Sequence, residues 1–177
     1  MSNLDIFFRL TDSVVVSLVR KLPQSEKTVY LKTSMNNSYS VFENKIISLL
    51  KDSGKTVLTV PDTSGPAVSL AFEDAKVYYP DMFRDGFFGP FMVKREVLLK
   101  GNYIISLNGR VTDTRNFKYR NEDTVGQNDL KTLENSAYPF TRGEMPPEPV
   151  FSSLLEPVIA LGTAAAVIYL FFTIRSK

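Results

Sequence analysis

The stretch Phe91–Tyr119, F-M-V-K-R-E-V-L-L-K-G-N-Y-I-I-S-L-N-G-R-V-T-D-T-R-N-F-K-Y, decides the fold. Its apolar residues fall on odd positions: Phe91, Val93, Val97, Leu99, Tyr103, Ile105 and Leu107. Side chains alternate between the two faces of a strand, so this pattern predicts one long strand with a single buried face. The phase survives Gly101, where a kink is allowed. Asn108-Gly109 is the strongest hairpin signal in the chain, because both residues tolerate the positive φ of a type I′ turn. A returning strand is expected from Arg110 to about Tyr119.

Upstream, Val68, Leu70 and Phe72 are even-numbered, whereas Ala75, Val77 and Tyr79 are odd-numbered. A phase change within one strand predicts a bulge near Asp74. Thr28–Thr33 and Thr56–Val60 read as short strands. Between them, Phe42, Ile46, Leu49 and Leu50 share one side of a helix over Val41–Asp52, and Gly54 stands where a helix-stopping glycine belongs. Strand, helix and strand in so short a span predict a βαβ crossover and a parallel pair. Phe7, Leu10, Val14, Leu18 and Leu22 lie three or four apart, which predicts a first helix from about Leu4 to Leu22. Its charges, Asp5, Arg9, Asp12, Arg20 and Lys21, make it a poor signal peptide. Its apolar face is expected on the domain's own core; binding to a membrane surface is the alternative. The fold class expected is α+β, two helices on a mixed sheet of about five strands.

At the other end, Pro157–Ile174 (P-V-I-A-L-G-T-A-A-A-V-I-Y-L-F-F-T-I) holds no charge. Eighteen helical residues span roughly 27 Å, close to the hydrocarbon thickness of a bilayer. Val158, Leu161, Gly162, Ala166, Tyr169 and Phe172 are the anchor residues expected to meet lipid, with a buried core helix as the alternative. Gly162 and Ala166 make a small-xxx-small pair through which two such helices can pack into a homo-oligomer. The organisation expected is a soluble domain over 1–125, a Pro- and Gly-rich extended tether over 126–151, a transmembrane helix over 152–174 and a basic tail over 175–177. No internal repeat is visible.

The chain of 177 residues contains no cysteine and no histidine. Thiol nucleophiles, disulfides and thiolate metal sites are therefore excluded, and the commonest general base is missing. Glu73 and Asp74 are adjacent on a strand and point to opposite faces. Asp113, Glu122 and Asp123 offer oxygen ligands without an EF-hand spacing, and Glu122 and Asp123 read as a solvated turn. Gly54-Lys55-Thr56 ends like a P-loop, but Leu49 stands where the upstream glycine is required. No cofactor, no metal and no catalytic residue is expected. The net charge of +2, with cations and acids interleaved, gives no footprint for nucleic acid.

The stretch Tyr78–Phe91 (Y-Y-P-D-M-F-R-D-G-F-F-G-P-F) is the most unusual. It reads as an aromatic connection between two strands, either folded over the core or exposed as a docking loop. In the second case Tyr79, Phe83, Arg84, Phe87 and Phe88 are the partner-binding residues, because aromatic and Arg side chains dominate interfaces.

The segment V-F-E-N-K-I-I-S-L-L-K-D-S-G-K-T-V-L (41–58) resembles the helix and returning strand of a group of bacterial envelope domains. These are the curli secretion channel subunit and the lipoprotein activators of penicillin-binding proteins. The resemblance covers Leu4–Tyr119. The chain departs from the group in lacking a lipobox cysteine and in carrying its anchor at the other end. The resemblance implies an extracytoplasmic scaffold or adaptor. The function expected is that of a membrane-anchored, non-enzymatic binding or assembly module in an envelope or membrane complex, touching lipid and a protein partner. A membrane-surface protein and a carboxylate-dependent enzyme are the alternatives. Arg175 and Lys177 beyond the apolar run put the C-terminus in the cytoplasm by the positive-inside rule, and hence the domain outside. The lack of a signal-like segment before Leu4 argues instead for a cytosolic, tail-anchored domain.

Overall fold

The computed structural model describes residues 1–61, 65–86, 89–147 and 150–175. Phe87, Phe88 and Lys177, and Asp62–Ser64 of the loop before the long strands, lie outside the described residues.

Helix α1 spans Asn3–Val19. Ser2 caps it: the Ser2 hydroxyl accepts from the Asp5 N–H while the Asp5 carboxylate accepts from the Ser2 N–H. These bonds hold the Asp5 carboxyl below its ordinary pKa. Ile6, Phe7, Leu10, Val14, Val15 and Leu18 are buried, so the apolar face of α1 is consumed by the core and is not available to a membrane surface. Strand β1 (Thr28–Ser34), a 3₁₀ turn (Asn37–Tyr39), helix α2 (Ser40–Asp52) and strand β2 (Thr56–Leu58) follow. β1 and β2 are parallel, as a βαβ crossover requires. Gly54 has φ +80° and stops α2.

Strands β3 (Pro66–Arg84), β4 (Phe91–Leu107) and β5 (Arg110–Gly126) form an antiparallel meander, and the sheet order is β2-β1-β3-β4-β5. The expected α+β mixed sheet of five strands is present. Asn108 and Gly109 have φ of 49° and 74°, the geometry of the expected turn. The phase change upstream is a bulge between Phe72 and Asp74. Gly101 sits where a Cβ would lie 2.1 Å from the Ala71 carbonyl oxygen and 2.6 Å from the Phe117 ring, so close strand packing requires a residue without a side chain there.

Three expectations need correction. β5 runs to Gly126, so Glu122 and Asp123 are strand residues rather than a turn. The expected connection over Tyr78–Phe91 is mostly strand: a second bulge between Tyr78 and Asp81 accommodates Pro80 and lets β3 continue to Arg84. The expected tether from 126 onward begins as folded chain. A 3₁₀ turn (Gln127–Asp129), helix α3 (Leu130–Leu133) and a 3₁₀ turn (Pro139–Thr141) bury Leu130, Phe140 and Thr141. Phe140 packs edge-on against Phe7 and Tyr39 and lies 5.1 Å from Phe42, so the chain after β5 closes the aromatic end of the core. Among the described residues, 142–147 form an irregular strap. Helix α4 spans Val150–Arg175.

The core lies between the sheet and the pair α1/α2, with Phe42 fully buried at its centre against Phe7 and Phe72. Phe42→Ala is expected to lower unfolding free energy by about 3–5 kcal/mol. Val111→Ala, at a position 65% exposed on β5, should stay within about 0.5 kcal/mol of wild type. Denaturant midpoints in detergent, read by near-UV circular dichroism, check both.

Candidate functional site

β1 pairs with β3 only from Tyr30↔Ala67 to Ser34↔Ala71. Beyond Ala71, β3 continues with β4 on one side and, among the described residues, no strand on the other. The Ala75 N–H donates to the Tyr39 hydroxyl at 3.3 Å, so this residue's backbone points away from β4. By the alternation of an antiparallel ladder, the backbone of Val77 points outward too. The strap crosses here. A Cβ on Gly143 would come within 2.7 Å of the Tyr79 ring and 3.0 Å of the Val77 carbonyl oxygen. Only glycine lets it pass so close.

Along this edge runs an open groove of about 1050 Å³. Its floor is Ala75–Pro80, one wall is Asn36, Ser38 and Tyr39, and the other is Pro139, Phe140 and the strap. Its charges are mixed. Lys76 is bonded to Asp74 at 3.2 Å, which raises its pKa, and Glu96 pairs with Arg120. Its walls mix polar and apolar side chains.

The strap is held by a buried polar chain. Arg95, 2% exposed, donates through Nε and Nη2 to the two Asp123 carboxylate oxygens at 2.7 and 2.5 Å. Its Nη1 donates to the Met1 carbonyl and, at 2.8 Å, to the Asn3 side-chain oxygen. The Asn3 amide donates to the Thr141 carbonyl and the Tyr79 hydroxyl. The Tyr79 hydroxyl donates to Glu134 Oε1, which also accepts from the Gly143 N–H at 3.0 Å. Burial, together with the nearby Glu134 carboxylate and against the helpful Asn3 bond, pushes the Tyr79 phenol up to about 12.

The expected partner-binding residues therefore divide. Tyr79 is 5% exposed and faces the core, so it is corrected from docking contact to structural joint. Phe83 is exposed on the opposite face of β3. Arg84 lies over the Phe91 ring, 4.5 Å from its centroid. Phe87 and Phe88 fall outside the described residues. Asp113 and Glu122 lie nine residues apart on β5, roughly 30 Å along the strand, and do not converge. Sequence reasoning missed Arg95, Asn3, Glu134 and Gly143. Arg95 carried a signal: it stands in the apolar odd phase between Val93 and Val97, and a charge there needs a partner.

On α4, Val158, Leu161, Gly162, Ala166, Tyr169 and Phe172 are all exposed. The window Pro157–Ile174 has a mean hydropathy of 2.1 and none of it is buried against the domain.

Asp123→Ala leaves the Arg95 charge buried alone and should destabilise by about 3–5 kcal/mol, whereas Arg95→Met with Asp123→Ala should recover most of that loss. Tyr79 gives a pH signature. Its folded pKa lies above the unfolded value, so its contribution is complete below about pH 10 and is lost as pH rises toward 12. Tyr79→Phe should flatten the decline of stability between pH 10 and 12, measured by urea titration at each pH.

No family model matches the chain, and no curated protein matches it. Solved structures that match include rare lipoprotein B from Shewanella oneidensis, at 10% identity and a TM-score of 0.38, covering 80% of this chain and 98% of that one. A minor lipoprotein from Acinetobacter baumannii matches at 12% identity and a TM-score of 0.39, covering 80% and 96%. A neuraminyllactose-binding hemagglutinin homolog from Helicobacter pylori matches at 11% identity and a TM-score of 0.38, covering 67% and 80%. Two of the three are bacterial lipoproteins, and the curli and penicillin-binding-protein activator family is not shown by them. Likeness this distant carries no conclusion about activity or partners.

Proposed function

We propose that this chain is a single-pass membrane protein whose soluble domain is a non-enzymatic binding and assembly module, a subunit or adaptor of a membrane or envelope complex. The groove along the open edge of β3 carries this reading. It is an open cleft whose walls mix polar and apolar side chains, Asn36, Ser38 and Tyr39 facing Pro139 and Phe140, beside the strap that precedes α4. A partner's extended segment lies in this groove against Tyr39 and Pro139, alongside the strap where it crosses Val77. The helix α4 supports the anchor: its apolar window is long enough to span and is covered by nothing in the domain. Gly162 has open space around it, which leaves room for a second helix. The domain faces outward, with Arg175 and Lys177 on the cytoplasmic side.

Full-length protein should stay with membranes through alkaline carbonate washing, and deletion from Ser152 onward should release it. A soluble full-length chain without detergent would end the anchor reading. For the groove, a photo-crosslinking residue at Ser38 should give one discrete adduct in membranes, and the same residue at Val111 should give none. Equal labelling from both positions would remove the groove from the argument. External protease should digest the domain in spheroplasts; digestion only after lysis would reverse the orientation.

A further inference from the structure

The strap does not merely lead to the anchor; it fixes which end of the domain meets the bilayer. Gly143 is pinned on Tyr79 and Glu134. From Gly143 to Val150 the chain reaches at most about 25 Å when extended. The helical residues from Val150 to Pro157 add about 10 Å. The pinned point therefore lies no more than about 35 Å from the start of the apolar window. β3 extends from that point in both directions. Tyr79 is about 17 Å from the Arg84 end and about 43 Å from the Pro66 end. Standing the sheet on its Pro66 end would hold Gly143 farther from the bilayer than its tether allows. An upright sheet stands on the Arg84 end.

The surface at that end matches an interface. Phe83 is 36% exposed and Tyr78 41%, both on β3, and the exposed Met145 of the strap lines the groove with Tyr78. The Arg84 guanidinium lies over Phe91, and Lys94 next to them on β4 is exposed and paired with Asp81. Aromatic rings with Arg and Lys at their margin populate the headgroup level of membranes, where a flat ring meets acyl chains and a cation meets phosphate. The opposite end presents the polar Asn108-Gly109 turn with Arg110.

From these observations we infer that the β3–β4 hairpin end, through Phe83 and the Arg84–Phe91 pair, rests in the headgroup layer of the same bilayer that α4 spans. This rests on the reading of α4 as a membrane anchor. The two contacts hold the domain upright and present the β3 groove close to the surface, where the juxtamembrane segment of another membrane protein is within reach.

The chain contains no tryptophan, so a single introduced one reports its own surroundings. Full-length Phe83→Trp, Val111→Trp and Val167→Trp are reconstituted in phosphatidylcholine nanodiscs without bromine, with bromine on the acyl carbons nearest the headgroup (for Phe83→Trp and Val111→Trp), and with bromine deep in the acyl chains (for Val167→Trp, which lies near the middle of the apolar window). Blue-shifted emission from Phe83→Trp that bromine quenches, with red, unquenched emission from Val111→Trp, is the expected result. Quenching of Val167→Trp but not of Phe83→Trp overturns the hairpin contact and leaves the anchor standing. Equal quenching of Phe83→Trp and Val111→Trp overturns it too, because the domain then has no preferred end. If Val167→Trp is not quenched, the anchor reading falls and the inference falls with it. Far-UV circular dichroism and a denaturant midpoint matching wild type confirm that each variant is folded.

Discussion

A cation inside the core organises this domain. Arg95 is nearly inaccessible, and a guanidinium in that position is stable only if its donors are matched. Four bonds do so: two to Asp123 on the edge strand β5, one to Asn3 and one to the Met1 carbonyl at the start of α1. The consequence is positional. α1 cannot slide along the sheet, because its first turn is tied to β4 by bonds that tolerate little displacement. β5 cannot slip register by one residue, because Asp123 would then point to the opposite face.

Asn3 extends the same constraint to the chain's far end. Its amide serves Arg95 on one side and Tyr79 and Thr141 on the other. Tyr79 passes the linkage to Glu134, and Glu134 to Gly143. The strap is therefore not a loose tether; its first residues belong to the fold. Any pull on α4 reaches the Glu134–Tyr79 joint first, not the aromatic core behind Phe140. The same joint decides how much of β3 stays uncovered. Pro146 and Pro147 in the strap lack the N–H groups needed to pair with an edge, so the strap shields β3 without becoming a sixth strand.

The legible parts of this fold were those written in periodicity. The odd phase of β4, the shift near Asp74, the Asn108-Gly109 turn and the strand–helix–strand of β1, α2 and β2 each follow from local rules, and each is present. The misjudged parts depended on distant residues. β5 beyond Tyr119 is polar on both faces and looks like loop; what makes it strand is the neighbouring length of β4, together with Arg95 calling for a carboxylate at Asp123. Tyr78–Arg84 looked like an aromatic loop because Pro80 breaks the alternation. A bulge absorbs the proline and returns Met82 to the core phase. Phe140 looked like part of a Pro-rich linker because nothing local marks it for burial. It completes a cluster whose other rings, Phe7, Tyr39 and Phe42, are about a hundred residues or more upstream.

The candidate groove was illegible for a related reason. An edge is a property of strand lengths taken together: β3 is long, β1 is short, and the difference leaves Ala75–Tyr79 without a strand neighbour on that side, where Tyr39 and the strap lie instead. No residue in the groove announces binding by its chemistry. Tyr79, one of the five residues expected as contacts, is the joint beneath it. The exposed aromatics, Tyr78 and Phe83, sit on the face of β3 that points away from the core. This separation gives the domain two surfaces with different physical character. One is a groove of mixed polar and apolar side chains along a strand edge, which in the proposed reading takes an extended polypeptide. The other is ring faces edged by cations and suits a layer of headgroups. Both lie within the short reach of the strap, so under the proposed reading of α4 as an anchor the domain meets lipid and a second protein without reorienting.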